Sequence, residues 1–115
     1  MATKEEVKEF LNYFKIKYKV FDIIFRDQRD KNSLTLLQLD ISPFKRREII
    51  EAIYIDDYSE GPLDDALYGI ASMWVFGKKV KDQEIYIKIS MGQSNSRVIC
   101  ISFHVAERRM RYPFK

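Results

Sequence analysis

Three segments near the end of the chain constrain the fold most. They are Trp74-Val75-Phe76-Gly77-Lys78-Lys79, Glu84-Ile85-Tyr86-Ile87-Lys88-Ile89-Ser90 and Val98-Ile99-Cys100-Ile101-Ser102-Phe103-His104. Each alternates in character from one residue to the next, and alternation with period two is the signature of a strand with two different faces. Short turn-forming stretches separate them, so consecutive antiparallel pairing is expected. Ile85, Ile87, Ile89 and Met91 then share an apolar face with Ile99, Ile101 and Phe103. The other face gathers Trp74, Phe76, Lys78, Tyr86, Lys88, Ser90, Cys100, Ser102 and the single histidine, His104. If Lys81-Asp82-Gln83 makes a tight turn, Lys78 lies opposite Tyr86 and Phe76 opposite Lys88. A tight second turn sets Tyr86 beside Ser102, with His104 one step further on. A one-residue bulge would break these pairings.

Upstream, Thr3 followed by Glu6 is a capping-box pattern. Val7, Phe10, Leu11 and Phe14 recur at helical spacing, which predicts a helix over about 3–17. The alternation from Lys15 to Phe25 then fits a short strand, or a longer helix. Ser33 can cap a short helix carrying Leu34, Leu36, Leu37 and Leu39, and Ser42-Pro43 is a second start, with proline at the first helical position. Lys45, Arg46 and Arg47 follow as a solvated face or an anion-facing patch. Residues 54–69 read as a loop, because Gly61-Pro62 breaks any regular element. The expected fold is α+β, a small antiparallel sheet with N-terminal helices on one face. The 115 residues fit one domain spanning 1–115.

Composition narrows the chemistry. With 46% apolar and 32% charged residues the chain is that of a soluble globular protein. A net charge of +3 is compatible with a polyanionic partner without requiring one. Cys100 has no disulfide partner and sits in an apolar strand, where a buried inert thiol is expected. The expected location is cytoplasmic, with no leader sequence and no membrane partner. No Gly-rich phosphate loop, nucleophile elbow or zinc spacing occurs, so no metal and no cofactor are expected. Cys100 and His104 would lie about 13 Å apart along a strand, too far to act as a pair.

What the polar face offers is the chemistry of RNA cleavage. A base removes the 2′-hydroxyl proton, cations stabilise the phosphorane, and an acid protonates the leaving 5′-oxygen. His104 is the side chain whose ordinary titration range suits either proton transfer. Tyr86 could assist as donor, and Lys78 and Lys88 could hold the phosphate. Trp74 and Phe76 could stack bases, each worth roughly 1–3 kcal/mol. Lys79, Tyr58, Arg109 and Arg111 complete the RNA-binding candidates, the last two from a basic, aromatic tail. Every one of these has an ordinary structural alternative, since aromatic residues and lysines are common on sheets.

Asp57-Tyr58-Ser59, Met73-Trp74-Val75-Phe76-Gly77-Lys78, Glu84-Ile85-Tyr86-Ile87-Lys88-Ile89 and Cys100-Ile101-Ser102-Phe103-His104 together resemble the MqsR (motility quorum-sensing regulator) family of bacterial toxins. That family is similar in fold to the RelE-like ribonuclease toxins. The likeness covers about residues 20–104. It implies metal-independent, sequence-selective cleavage of messenger RNA, neutralised by a cognate antitoxin. The family's strand tyrosine falls on Tyr86. A family lysine after the loop tyrosine falls on Ser59, a family glutamine after the strand tryptophan on Val75, and a family lysine after Ser-Phe on His104. The first two are departures. Three readings therefore stand beside one another: an endoribonuclease toxin, a non-catalytic RNA- or protein-binding module of the same fold, and a structural partner subunit.

Overall fold

A computed structural model describes residues 1–28, 30–64 and 71–115. Helix α1 spans Lys4–Phe21, α2 Asp30–Leu39 and α3 Pro43–Glu51. Strands β1 (Ile23–Phe25), β2 (Tyr58–Leu63), β3 (Met73–Val80), β4 (Gln83–Ser90) and β5 (Val98–Val105) form one sheet in the order β1-β5-β4-β3-β2. All neighbours are antiparallel except β1 and β5. The fold is α+β, with the N-terminal helices packed against the sheet.

Helix α1 starts where its capping box predicts. The Glu6 amide donates to the Thr3 hydroxyl at 3.1 Å, and the Thr3 amide donates to the Glu6 carboxylate at 2.9 Å. It buries Val7, Phe10, Leu11, Phe14 and Tyr18, the stripe a 3.6-residue period dictates. The helix runs past residue 17 because Tyr18 continues that stripe from Leu11 and Phe14. Asp22, at φ 73°, then turns the chain out of the helix. The Phe10 ring stacks on Trp74 at 4.6 Å and 14°, and lies 6.2 Å from Phe76. Ile85, Ile87 and Ile89 of β4 join the same core, with Ile49, Ile50 and Ile53 from α3 and the residues after it. Each such buried side chain contributes about 1.5–3 kcal/mol.

Helix α3 begins at Ser42, whose hydroxyl accepts from the Lys45 amide at 3.0 Å. The basic run behind that cap is no anion-facing patch. Arg46 is buried, bonded to both oxygens of Asp27 at 2.8 and 3.0 Å, and lies 3.6 Å over the Phe25 ring. Arg47 pairs with Asp22 at 2.7 Å. The expected loop also needs correction. Ile55–Asp57 is a turn of 3₁₀ helix, and Tyr58–Leu63 is an edge strand that carries Pro62, a place where a missing N–H costs no ladder bond. Residues 65–69 of that stretch lie outside the described residues.

The largest correction concerns register. Val80 pairs with Gln83, so the β3–β4 turn is Lys81-Asp82 alone, both at positive φ (48° and 66°), as a two-residue hairpin requires. A turn one residue shorter than Lys81-Asp82-Gln83 moves every β3 side chain to the opposite face. Trp74, Phe76 and Lys78 therefore sit opposite Ile89, Ile87 and Ile85, on the helix-covered side. Gly77 is the residue opposite Tyr86, and Val75 the one opposite Lys88.

Candidate active site

The face of the sheet that carries Tyr86 and Lys88 is read from the pairing. Tyr86 is directly opposite His104, and Lys88 directly opposite Ser102. Beyond Lys88 the ladder shifts, so that Ile89 pairs with Cys100. This bulge at Ile101 turns Cys100 into the core and Ile99 onto the outer face, the reverse of the alternation expected for an unbroken strand. Asn32, at the start of α2, holds the bulge. Its amide nitrogen donates to the carbonyls of Arg26 and Ile101 at 2.9 and 3.0 Å, and its oxygen accepts from the Phe103 amide at 3.0 Å. One buried amide thus replaces a strand neighbour where β1 has ended.

Tyr86 and His104 stand as a stacked pair, ring centroids 5.2 Å apart and 12° from parallel. The Lys88 ammonium lies 5.8 Å from the Tyr86 ring centroid. His104 Nδ1 is 3.0 Å from the Val105 carbonyl oxygen. A carbonyl can only accept, so Nδ1 carries the proton and Nε2 is the nitrogen left for chemistry.

The C-terminal tail closes one side. The Glu84 carboxylate accepts from the Met110 amide at 3.1 Å and from the Tyr112 hydroxyl at 2.7 Å. Burial, then the Glu84 hydrogen bond, raises the Tyr112 phenol above its ordinary range. Tyr112 lies directly over Gly77, where an added Cβ would meet its hydroxyl at 2.1 Å. The tail so anchored brings Arg109 and Arg111 to a cleft of about 890 Å³ shared with Tyr86, Lys88, Ser102 and His104. Ser59 and Glu60 of β2 line it from the far side. Lys31 lines it beside β5 and pairs with Glu107, whose carboxyl that bond holds below its ordinary value. Among the described residues, its cations Lys31, Lys88, Arg108, Arg109 and Arg111 outnumber its acids Asp30, Glu60 and Glu107.

The cleft thus unites His104, Tyr86, Lys88, Arg109 and Arg111. The other candidates lie elsewhere. Lys78 is on the core side and bonds to Asp57 at 3.0 Å. Phe76 and Tyr58 are fully buried, and Tyr58 donates its hydroxyl to the Gly61 carbonyl at 2.5 Å. Trp74 is stacked on Phe10. Phe76 and Tyr58 have no face open to a base without unpacking the core, and half-buried Trp74 has one face taken by Phe10. Lys79 is exposed but does not line the main cleft; it borders a neighbouring hollow with Gly77, Glu84 and Tyr112 that shares Arg109 and Met110 with the cleft. Ser59, one of the family departures, lines the cleft, whereas Val75, the other, is fully buried. Asn32 and Glu60 were not among the candidates. The Asn32 signal is tertiary and has no sequence pattern. That of Glu60 was hidden by reading its strand as loop.

Among the described residues no group of three His, Cys, Asp or Glu is placed to hold a metal ion, and no helix is long and apolar enough to cross a membrane. Comparison with family models, curated proteins and solved structures finds no match.

Proposed function

We propose that the protein is a toxin-like endoribonuclease that cleaves single-stranded RNA without a metal and is neutralised by a cognate antitoxin in the cytoplasm. The observation that carries the cleavage reading is the Tyr86–His104 pair, set beside Lys88 in one cleft with Arg109 and Arg111. These groups match what phosphodiester transfer demands. His104 lines the cleft with a phenol stacked beside it, and Lys88, Arg109 and Arg111 line the same cleft, which supports a role in neutralising charge on phosphorus. A single strand suits the site because an RNA duplex holds its 2′-oxygen out of line with the leaving oxygen, and unpaired bases are open to contact. The toxin and antitoxin parts rest on the MqsR-like segments of the sequence.

The test is cleavage of a defined single-stranded RNA by purified protein in EDTA, followed by mapping of the product ends. Wild type is expected to leave a 2′,3′-cyclic phosphate and a 5′-hydroxyl. His104→Ala should lower the rate by about 10²-fold or more. An unchanged His104→Ala rate would reject this role. A protein that binds the RNA and leaves it intact would be the non-catalytic module instead.

A further inference from the structure

We infer that Glu60 is the second proton-transfer group of this cleft, the base that accepts the 2′-hydroxyl proton while His104 protonates the leaving oxygen. The inference rests on the nuclease reading above and assigns a role which that reading leaves empty.

Three observations lead to Glu60. The first is register. Tyr58 pairs with Phe76 and Glu60 with Val75, so two steps on β2 oppose one on β3. The extra residue is Ser59. Without it Glu60 would share the core-facing side with Tyr58. With it Glu60 turns outward into the cleft, and re-aiming a side chain is what a bulge does. The second is position. Glu60, Val75, Lys88 and Ser102 form one row across four strands, and His104 lies two residues along from Ser102. The third is exclusion within the cleft. Glu107 is held by Lys31, and Asp30 opens α2, beside β5 and therefore on the His104 side. Among the described lining residues, Glu60 is the acid carried by β2, three strands across the sheet from His104 on β5.

The chemistry needs that opposition. In-line displacement has the attacking and leaving oxygens on opposite sides of phosphorus, so base and acid must flank it. Three strand spacings and one two-residue step place the Glu60 and His104 Cα atoms roughly 16 Å apart. Both side chains line the one cleft, so an extended phosphodiester lying across it can reach both. The 2′-oxygen forms its bond to phosphorus as its proton passes to the Glu60 carboxylate. His104 enters this step as the imidazolium, with Nδ1–H held by the Val105 carbonyl, and the P–O5′ bond breaks as its second proton, on Nε2, passes to O5′. The products are a 2′,3′-cyclic phosphate and a 5′-hydroxyl, and water returns the proton from Glu60 to His104. Lys88, Arg109 and Arg111 supply the positive charge that holds the non-bridging oxygens between them.

The two roles separate on a modified substrate. The wild-type cleavage site is mapped first, and the same oligoribonucleotide is then made with a 5′-bridging sulfur at that bond. A thiolate leaves without protonation. His104→Ala should therefore lose about 10²-fold on the oxygen substrate and regain most of it on the sulfur substrate. Glu60→Gln should lose about 10²-fold on both, because attack still needs its base. Glu60→Asp, which keeps the carboxylate, should retain more activity than Glu60→Gln. A Glu60→Gln rate within twofold of wild type, or its recovery by sulfur as for His104→Ala, overturns the assignment alone. Wild type that cuts neither substrate overturns the nuclease reading and this inference with it.

Discussion

Gly77 shows how much one missing side chain can arrange. It lies opposite Tyr86 in the sheet, and its bare Cα is the seat for the Tyr112 ring. An alanine there meets the end of a movable side chain before it meets backbone, so the sheet should survive and the tail should lift. Gly77→Ala is expected to cost about 1.5–3 kcal/mol, the scale of a hydrogen bond to a carboxylate. It should also speed proteolysis beyond residue 107 and weaken RNA binding. Unchanged proteolysis would contradict the anchoring role. Cys100 offers a second test at this scale. Burial pushes its thiol up to about 12, so it stays protonated in the fold. Below the ordinary thiol range both folded and unfolded chains hold this proton, and stability is unaffected. Above that range only the unfolded chain loses it, so this contribution falls as pH rises toward 12. Iodoacetamide at pH 8.5 should therefore label Cys100 slowly in buffer and rapidly in denaturant. Burial of this thiol was legible from the apolar residues around it. Its side of the sheet was not, because the bulge at Ile101 depends on an amide from a distant helix.

At the scale of elements, legibility followed the strength of local signals. The starts of α1 and α3 are set by hydroxyl caps a few residues from the atoms they bond, and both fall where the sequence places them. Strands β3, β4 and β5 are visible as alternation. Edge strand β2 is not, because Gly61-Pro62 carries the composition of a loop while β3 supplies the pairing. The β3–β4 register failed for a sharper reason. Turns of two and three residues leave the same strand pattern but opposite faces, and Lys81-Asp82 lacks the glycine that would announce the shorter one. The observed backbone predicts a remedy. Asn and Gly at these positions suit two consecutive positive φ angles, so Lys81→Asn with Asp82→Gly should raise stability by about 1 kcal/mol in urea unfolding. A loss of stability would contradict the two-residue turn. Asn32→Ala should destabilise by about 2–3 kcal/mol, because it strands buried main-chain groups at Ile101 and Phe103. It should also disturb the alignment of His104, two residues beyond Ser102. A change under about 0.5 kcal/mol would mean the bulge holds itself.

Over the whole molecule, the sheet divides two tasks. One face is sealed by α1 and α3 around Phe76, Ile85, Ile87 and Phe103. The other carries the cleft, bordered by β2 on one side and the tail on the other. The modest net charge of +3 conceals this arrangement, because Arg46 and Arg47 are paired with acids while Arg109 and Arg111 converge on the cleft. RNA affinity should therefore depend on salt, and Arg109→Ser and Arg111→Ser should each lower the slope of log K against log salt by about 0.7. The most direct measurement is the footprint of an uncleavable oligonucleotide with 2′-deoxy residues, read from amide chemical shifts. The largest changes should fall on Glu60, Tyr86, Lys88, Ser102, His104, Arg109 and Arg111. Changes gathered on the exposed faces of α1 and α3, with the sheet cleft silent, would contradict the account.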